Sequence, residues 1–314
     1  MITLEWREKP SYIEKYEIQC ATTMNKPEWY DRAISSERID AEVDVEGCRI
    51  HYATWGEIGK PGIVLIHGSN AHLEWWRFVA PFLADQFRVA AIDLSGNGDS
   101  GWRPKYNAEL FAREVMVVAK HAELGNNPFI VGHSFGGYIA LETGFSYSDE
   151  IGGVLFCDYV VPSAELFMQW GQRAIENGPA RPTRIYATLD EALGRFRLLP
   201  EQPCLHSYVI EYIAKQSIKK VKNGWTWKFD PSMYDFLEIS PEQPEKLRTM
   251  DCRTAFLLAE HSADYDPRSI DYTKKITMGK SPVYHIPGTH HHYMFDEPMA
   301  VVSAIKGILL SWQT

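Results

Sequence analysis

The stretch PFIVGHSFGGYIALETG, residues 128–144, passes from a continuous apolar run directly into a helical pattern. Only Gly132-His133-Ser134-Phe135-Gly136 lies at the joint, so the turn there must be very sharp. Backbone crowds such a turn from both sides, and side chains at 132 and 136 would collide with it. The Ser134 hydroxyl is then expected to project above the end of a strand, with Gly137 extending the close contact between helix and strand.

The rest of the chain repeats this rhythm. The runs GIVLIHG, FRVAAIDLSG, GGVLFCDY, TAFLLAE and PVYHIPG are short and apolar, and helical patterns separate most of them. Asn107–Ala122 is the clearest helix, and Pro298–Trp312 closes the chain. Buried strands alternating with helices indicate an α/β fold whose mostly parallel sheet is covered on both faces. AEVDVEGCRIHYATWG alternates on either side of Glu46-Gly47, the pattern of a hairpin. Residues 1–40 lack a sustained period and read as an N-terminal arm. Between about Pro162 and Glu245 no comparable strand occurs, and the aromatics Trp170, Phe196, Tyr208, Tyr212, Trp225, Trp227 and Tyr234 accumulate. We read 41–161 and 246–314 as the core and 162–245 as a helical cap over the carboxyl edge of the strands, where α/β sheets bind ligands.

Composition matters mainly for what it excludes. A formal charge of −9 argues against nucleic acid, because binding a polyanion needs clustered Lys and Arg. The one basic cluster, KQSIKKVK at Lys215–Lys222, reads as a solvated helix face. Five scattered cysteines without a C-x-x-C pair match a reducing compartment. The charged N-terminus is not a secretory signal, and no apolar window is long enough for a membrane span. The expectation is a cytoplasmic protein, monomer or homodimer, that handles a small molecule.

In G-x-S-x-G the serine is a nucleophile, and the Phe135 amide at the positive end of the following helix can donate to a developing oxyanion. GIVLIHGSNAHLEWW carries an earlier strand into a loop in which Ser69 would supply the second backbone donor. His67, Asn70 and His72 are read as orienting that loop. Asn70, His133 and Trp170 are expected to line the substrate pocket. Trp75-Trp76 should begin the next helix, at least one of them as core packing.

His67-Gly68-Ser69 after one strand, DLSGNGDS after the next and VGHSFGG after another resemble the α/β-hydrolase superfamily. The resemblance runs from about Glu42 to the C-terminus and includes the position of the cap. HGSNAHLEWW with AIDLSGNGDSGW is similar to a bacterial branch of serine esterase-like hydrolases. Asn97 departs from the family's usual His, and Asp93, Asn97 and Asp99 are read as fixing that loop. The resemblance implies an α/β-hydrolase fold with a helical cap inserted before the penultimate strand, and the order serine, acid, histidine. In GTHHHYMFDEP, counting back from Pro298 in the family's pattern selects His291 as the base. His290 then stands where glycine is usual, and His292 where an aromatic or aliphatic residue is usual.

The acid is open between Asp158, after GGVLFC, and Asp264, in LLAEHSADYD. The superfamily most often uses the later place, yet one alignment puts Ala263 there. Dehalogenase-like relatives use the earlier one. We favour Asp158 and keep Asp264 as the alternative, ahead of Glu260 and Asp266. Three consecutive histidines diverge too much for a zinc site, and neither metal nor other cofactor is expected.

The expected chemistry is hydrolysis of carboxylic esters through an acyl-enzyme on Ser134. The aromatic cap implies a small to medium apolar or aromatic substrate. Related scaffolds that act as epoxide hydrolases or haloalkane dehalogenases use an aspartate nucleophile, which Ser134 replaces here. Alternatives are a C–C bond hydrolase or lactonase with the same triad, a cofactor-free perhydrolase, or a non-catalytic ligand receptor.

Overall fold

The computed structural model is described over residues 26–177, 182–235, 237–265 and 267–313, without the side chains of 170, 171 and 173–177. The core is an eight-stranded sheet. In chain order its strands are β1 (Ile39–Val45), β2 (Cys48–Trp55), β3 (Gly62–Ile66), β4 (Arg88–Ile92), β5 (Phe129–His133), β6 (Gly153–Cys157), β7 (Thr254–Ala259) and β8 (Val283–Ile286). Their spatial order is β1-β2-β4-β3-β5-β6-β7-β8. β1 and β2 run antiparallel to their neighbours, and the pairs from β4 to β8 are parallel. The β1–β2 turn is Glu46-Gly47, with φ of 50° and 76°, the left-handed pair that a two-residue hairpin needs.

The apolar runs lack alternation because both faces of each strand are covered. Ile63, Leu65, Val89, Ala91, Val131, Leu155 and Leu257 belong to one apolar cluster. Their neighbours Val64, Ile66, Ala90, Ile92, Ile130, Phe156 and Phe256 belong to the other. Consecutive side chains thus enter opposite cores, the period of a strand. Helices α2 (Ala108–His121) and α3 (Phe135–Ser146) contribute Val115, Val118, Ile139 and Leu141 to the second cluster. The C-terminal helix α9 (Pro298–Ser311), preceded by α8 (Pro267–Ile276), contributes Val301, Ile305 and Leu309 to the first. Asn107 caps α2, its side chain accepting from the Leu110 amide at 2.7 Å.

Within the expected arm, residues Glu28–Ser35 form helix α1. Tyr30 stacks on Phe78 with ring centroids 5.4 Å apart, and Arg77 donates to the Ile34 carbonyl at 2.5 Å. This part packs on the core; residues 1–25 lie outside the described residues. Trp75 and Trp76 fall in a 3-10 turn, Leu73–Trp76, and both are buried.

The segment between β6 and β7 holds helices α4 (Ala164–Asn177), α5 (Leu189–Leu193), α6 (Ser207–Gln216) and α7 (Gln243–Thr249). It is not helical throughout. Ile218–Val221 and Gly224–Trp227 form an antiparallel hairpin, so Lys219 and Lys220 stand on a strand rather than a helix face. Gly224, at φ +141°, lets the Tyr186 backbone approach; a Cβ there would sit 2.1 Å from the Tyr186 carbonyl oxygen. No helix among the described residues is long and apolar enough to cross a membrane.

The chain leaves β3 for β4 on one side and reaches β5 on the other. The crevice between the carboxyl ends of β3 and β5 is therefore a topological switch point, where such sheets bind ligands. Ser69 follows β3 there and Ser134 follows β5.

Candidate active site

Ser134 joins β5 to α3 with φ 54° and ψ −118°, a conformation a residue with a side chain holds only when its surroundings enforce it. Its amide donates to the Cys157 carbonyl at 2.9 Å, and its carbonyl accepts from Gly137 at 2.7 Å. The flanking glycines are required by contact. A Cβ at Gly132 would lie 2.1 Å from the Gly136 carbonyl oxygen, and one at Gly136 would lie 2.5 Å from that of Ile66.

His291 arrives from the loop after β8 and is buried. Its Nε2 lies 2.9 Å from Ser134 Oγ, and its Nδ1 lies 2.6 Å from Asp158 Oδ2. A carboxylate accepts, so Nδ1 carries the hydrogen and Nε2 presents its lone pair to the serine hydroxyl. Burial disfavours an imidazolium at His291, but the hydrogen bond and charge of Asp158 outweigh it, and Asp264 adds to the effect. The pKa of His291 is therefore raised. Burial likewise works against the Asp158 carboxylate, yet His291, the Ala259 amide and the Ser262 hydroxyl together hold its pKa below the usual range.

Asp158 follows β6 with φ 47° and is fully buried. The loop after the neighbouring strand β7 surrounds it with donors. Ala259 N reaches Oδ1 at 2.7 Å, Tyr265 OH reaches Oδ1 at 2.9 Å, and Ser262 Oγ reaches Oδ2 at 2.6 Å. Asp264, on the same loop, is exposed, and its own amide donates to Ser262 Oγ at 3.3 Å. Enough protein surrounds its carboxyl for desolvation to raise its pKa, with His291 opposing and Asp158 adding. Glu260 accepts from the Gly288 amide at 2.7 Å, and Asp266 lies outside the described residues. Nothing in the sequence spacing of Ser262 and Tyr265 ties them to a carboxylate after another strand.

Across the crevice, a Cβ on Gly68 would come within 3.3 Å of Ser134 Cβ, so the loop after β3 runs beside the serine. Ser69 is exposed there, and Asn70 is exposed with φ 52°. Phe135 is the first residue of α3, so its amide has no carbonyl one turn earlier to bond. His67 ties the loop down: Nδ1 lies 2.8 Å from the Gly68 carbonyl, and Nε2 accepts from the Leu94 amide at 3.2 Å. His72 Nε2 meets Ser217 Oγ at 2.8 Å, joining the loop to the segment between β6 and β7. Asp93 accepts from the Leu73 and Asp99 amides, and Asn97 donates to the Ser95 carbonyl. Tyr234, from the same segment, meets Phe135 edge to face at 5.7 Å.

His133 does not stand on a pocket wall. It is 1% exposed, and its Nε2 lies 2.8 Å from the His291 carbonyl. Burial, with His291 nearby, holds its pKa down to about 3. His292 is also buried and its pKa lies far below the usual value, for the same two reasons with His133 adding. Its amide donates to Gln202 Oε1 at 2.7 Å, and Gln202 Nε2 in turn donates to Asp296 Oδ1 at 3.1 Å. His290 pairs with Asp296 at 3.2 Å. Trp170 lies in α4, and its side chain is outside the described residues.

This sheet with this turn is the frame of an α/β hydrolase. A model of the alpha/beta hydrolase family matches residues 63–305, and the chain belongs to that family. It is 33% identical over 130 residues to the soluble epoxide hydrolase of Corynebacterium sp. (strain C12), covering 40% of this chain and 44% of that one. The chain thus spans less than half the length of that relative. Esterase Rv0045c of Mycobacterium tuberculosis is 24% identical over 284 residues, 84% of this chain and 88% of the relative. The thioesterase domain from the curacin biosynthetic pathway has the same fold, with a TM-score of 0.72 at 21% identity over 86% of this chain and 99% of that one.

Proposed function

We propose that the protein is a serine hydrolase of carboxylic esters. The observation that carries this reading is the series Ser134 Oγ, His291, Asp158, with contacts of 2.9 and 2.6 Å. His291 Nε2 takes the hydroxyl proton as Ser134 Oγ attacks the ester carbonyl. The carbonyl oxygen becomes an oxyanion facing the amides of Ser69 and Phe135, and Asp158 steadies the imidazolium. The C–O bond to the alcohol then breaks, and the proton on Nε2 leaves with the alcohol. Water repeats the sequence on the acyl-enzyme and frees the acid, so every proton is accounted for without a cofactor. A serine at the nucleophile position separates this chemistry from that of the epoxide hydrolase relative. Phe135 and Tyr234 beside the serine favour a small to medium apolar or aromatic substrate.

The test is Ser134→Ala against short p-nitrophenyl esters. Turnover is expected to fall by about 10⁶-fold, as when a serine of this kind is removed. The circular dichroism spectrum should be unchanged, and labelling by a fluorophosphonate should be lost. Full activity in the variant sinks the mechanism.

A further inference from the structure

Two of the histidines around Ser134, His133 and His292, have no step in that reaction. Each commits one ring nitrogen to a carbonyl: His133 Nε2 to His291 at 2.8 Å, and His292 Nε2 to Leu199 at 3.2 Å. A carbonyl only accepts, so in both rings the hydrogen is on Nε2 and Nδ1 keeps its lone pair. Among the described residues neither Nδ1 has a hydrogen-bond partner, although the two histidines are only 1% and 3% exposed. His133 Nδ1 lies beside the serine, since a Cβ on Gly68 would be 3.2 Å from it and 3.3 Å from Ser134 Cβ. His291 holds the opposite tautomer, with its lone pair on Nε2. The ring centroids are 4.8 Å apart for His133–His291 and 4.7 Å for His291–His292. One ring nitrogen from each of the three lies within 4.8 Å of the others.

We infer that His133, His291 and His292 form a binding site for a borderline divalent transition-metal ion such as Zn²⁺ or Cu²⁺, and that occupancy inhibits the enzyme. Neutral imidazoles suit these ions, whereas Mg²⁺ and Ca²⁺ demand oxygen ligands. Tetrahedral Zn–N bonds of about 2.0–2.1 Å set the nitrogens roughly 3.4 Å apart, so from within 4.8 Å the rings close by up to about 1.4 Å. Ser134 Oγ or a water completes the set. Each histidine contributes a lone pair and gives up no proton. Because His291 Nε2 would otherwise receive the Ser134 proton, a metal there removes the base. The consecutive residues 290–292 diverge, as their spacing requires, and His290 turns to Asp296. Convergence comes from His133, distant in sequence, which the turn at Ser134 carries beneath the loop. The binding claim stands apart from the proposed hydrolysis; the inhibition claim rests on it.

The test uses the full chain carrying Ser134→Ala, stripped with chelator and titrated calorimetrically with ZnCl₂. One saturable site per chain is expected. His292→Phe keeps an aromatic ring against Trp75 and Phe295 and should weaken Zn²⁺ binding by at least about tenfold. His292→Cys restores a donor and should recover most of the affinity. His51, Asp93 and Asp99 are the other cluster of metal-ligating side chains among the described residues, so His51→Ala is the control and should change nothing. With Ser134 intact, Zn²⁺ should stop ester hydrolysis reversibly. The half-inhibiting concentration should rise in His292→Phe by the same factor as the dissociation constant, each variant normalised to its own metal-free rate. Binding unaffected by His292→Phe, or abolished by His51→Ala, overturns the site. Binding at the histidines without inhibition of an active esterase overturns the inhibitory role. If the chain turns over no ester, calorimetry still decides the site, and only the hydrolase reading fails.

Discussion

Replacing Asp158 with asparagine should damage catalysis far more than the same change at Asp264, and the hydrogen-bond directions around the carboxylate say why. Oδ1 accepts from the Ala259 amide and Tyr265, and Oδ2 from Ser262 and His291. The Ala259 amide cannot reverse its role, so the asparagine oxygen must take the Oδ1 place and its NH₂ the Oδ2 place. Ser262 can rotate to accept, but the Nδ1–H of His291 then faces a donor. The imidazole escapes by moving its hydrogen to Nε2, and that nitrogen can no longer receive the Ser134 proton. The loss in kcat for a base held in the wrong tautomer is about 10⁴-fold. At 1.36 kcal/mol per tenfold this is roughly 5.4 kcal/mol of barrier. Asp264→Asn should stay within about threefold, because the exposed side chain holds no hydrogen bond to the base. The assay is steady-state hydrolysis of a p-nitrophenyl ester from pH 5 to 9, with thermal melts to show that each variant is folded. The pH profile supplies an independent sign. Asp158 raises the His291 pKa, so the acid limb of wild-type kcat/KM should lie above an ordinary imidazole and move to lower pH in Asp158→Asn. A larger loss from Asp264→Asn, or an Asp158→Asn variant within tenfold of wild type, refutes the reasoning.

Tyr265→Phe removes one hydrogen bond to the buried carboxylate, worth about 1.5–3 kcal/mol when the acceptor is charged. Its melting temperature and kcat should both fall, and an unchanged melt would show that the phenol does not hold Asp158. Gly136→Ala drives a Cβ to within 2.5 Å of the Ile66 carbonyl oxygen and should cost more than about 4 kcal/mol, read as lost soluble yield or a collapsed melt. Gly307→Ala, at an exposed position inside α9 with no atom of the described residues within 4 Å of the new Cβ, should instead stabilise the protein by about 0.8–1 kcal/mol in urea unfolding.

The sheet was legible because its strands are buried on both faces and stand apart as apolar runs. Glu46-Gly47 and Asn107 marked a turn and a helix start through backbone needs that few residues meet. In Lys215–Lys222 charge alone suggests a solvated helix face, while the adjacent Asn223-Gly224 pair signals the hairpin that forms there. The choice between Asp158 and Asp264 could not be made from order along the chain. β6 and β7 are adjacent parallel strands, with Cys157 opposite Leu257, so carboxylates after either strand reach the same neighbourhood. The meeting of His133 with His291 was hidden for a similar reason, since it depends on how two loops stack at the sheet edge.

The segment between β6 and β7 carries a historical implication. Helix α7, which packs against α3, leads back into β7 and by itself could complete a strand–helix–strand crossover. The hairpin and helices α4 to α6 hang between the end of β6 and α7, outside the sheet's hydrogen-bond ladder. A lineage could exchange that portion for another, and so acquire a new diet, while inheriting the serine turn and its partners intact. The ties at Gln202, Tyr212, Ser217 and Lys228 are among the seams such a graft would have to remake.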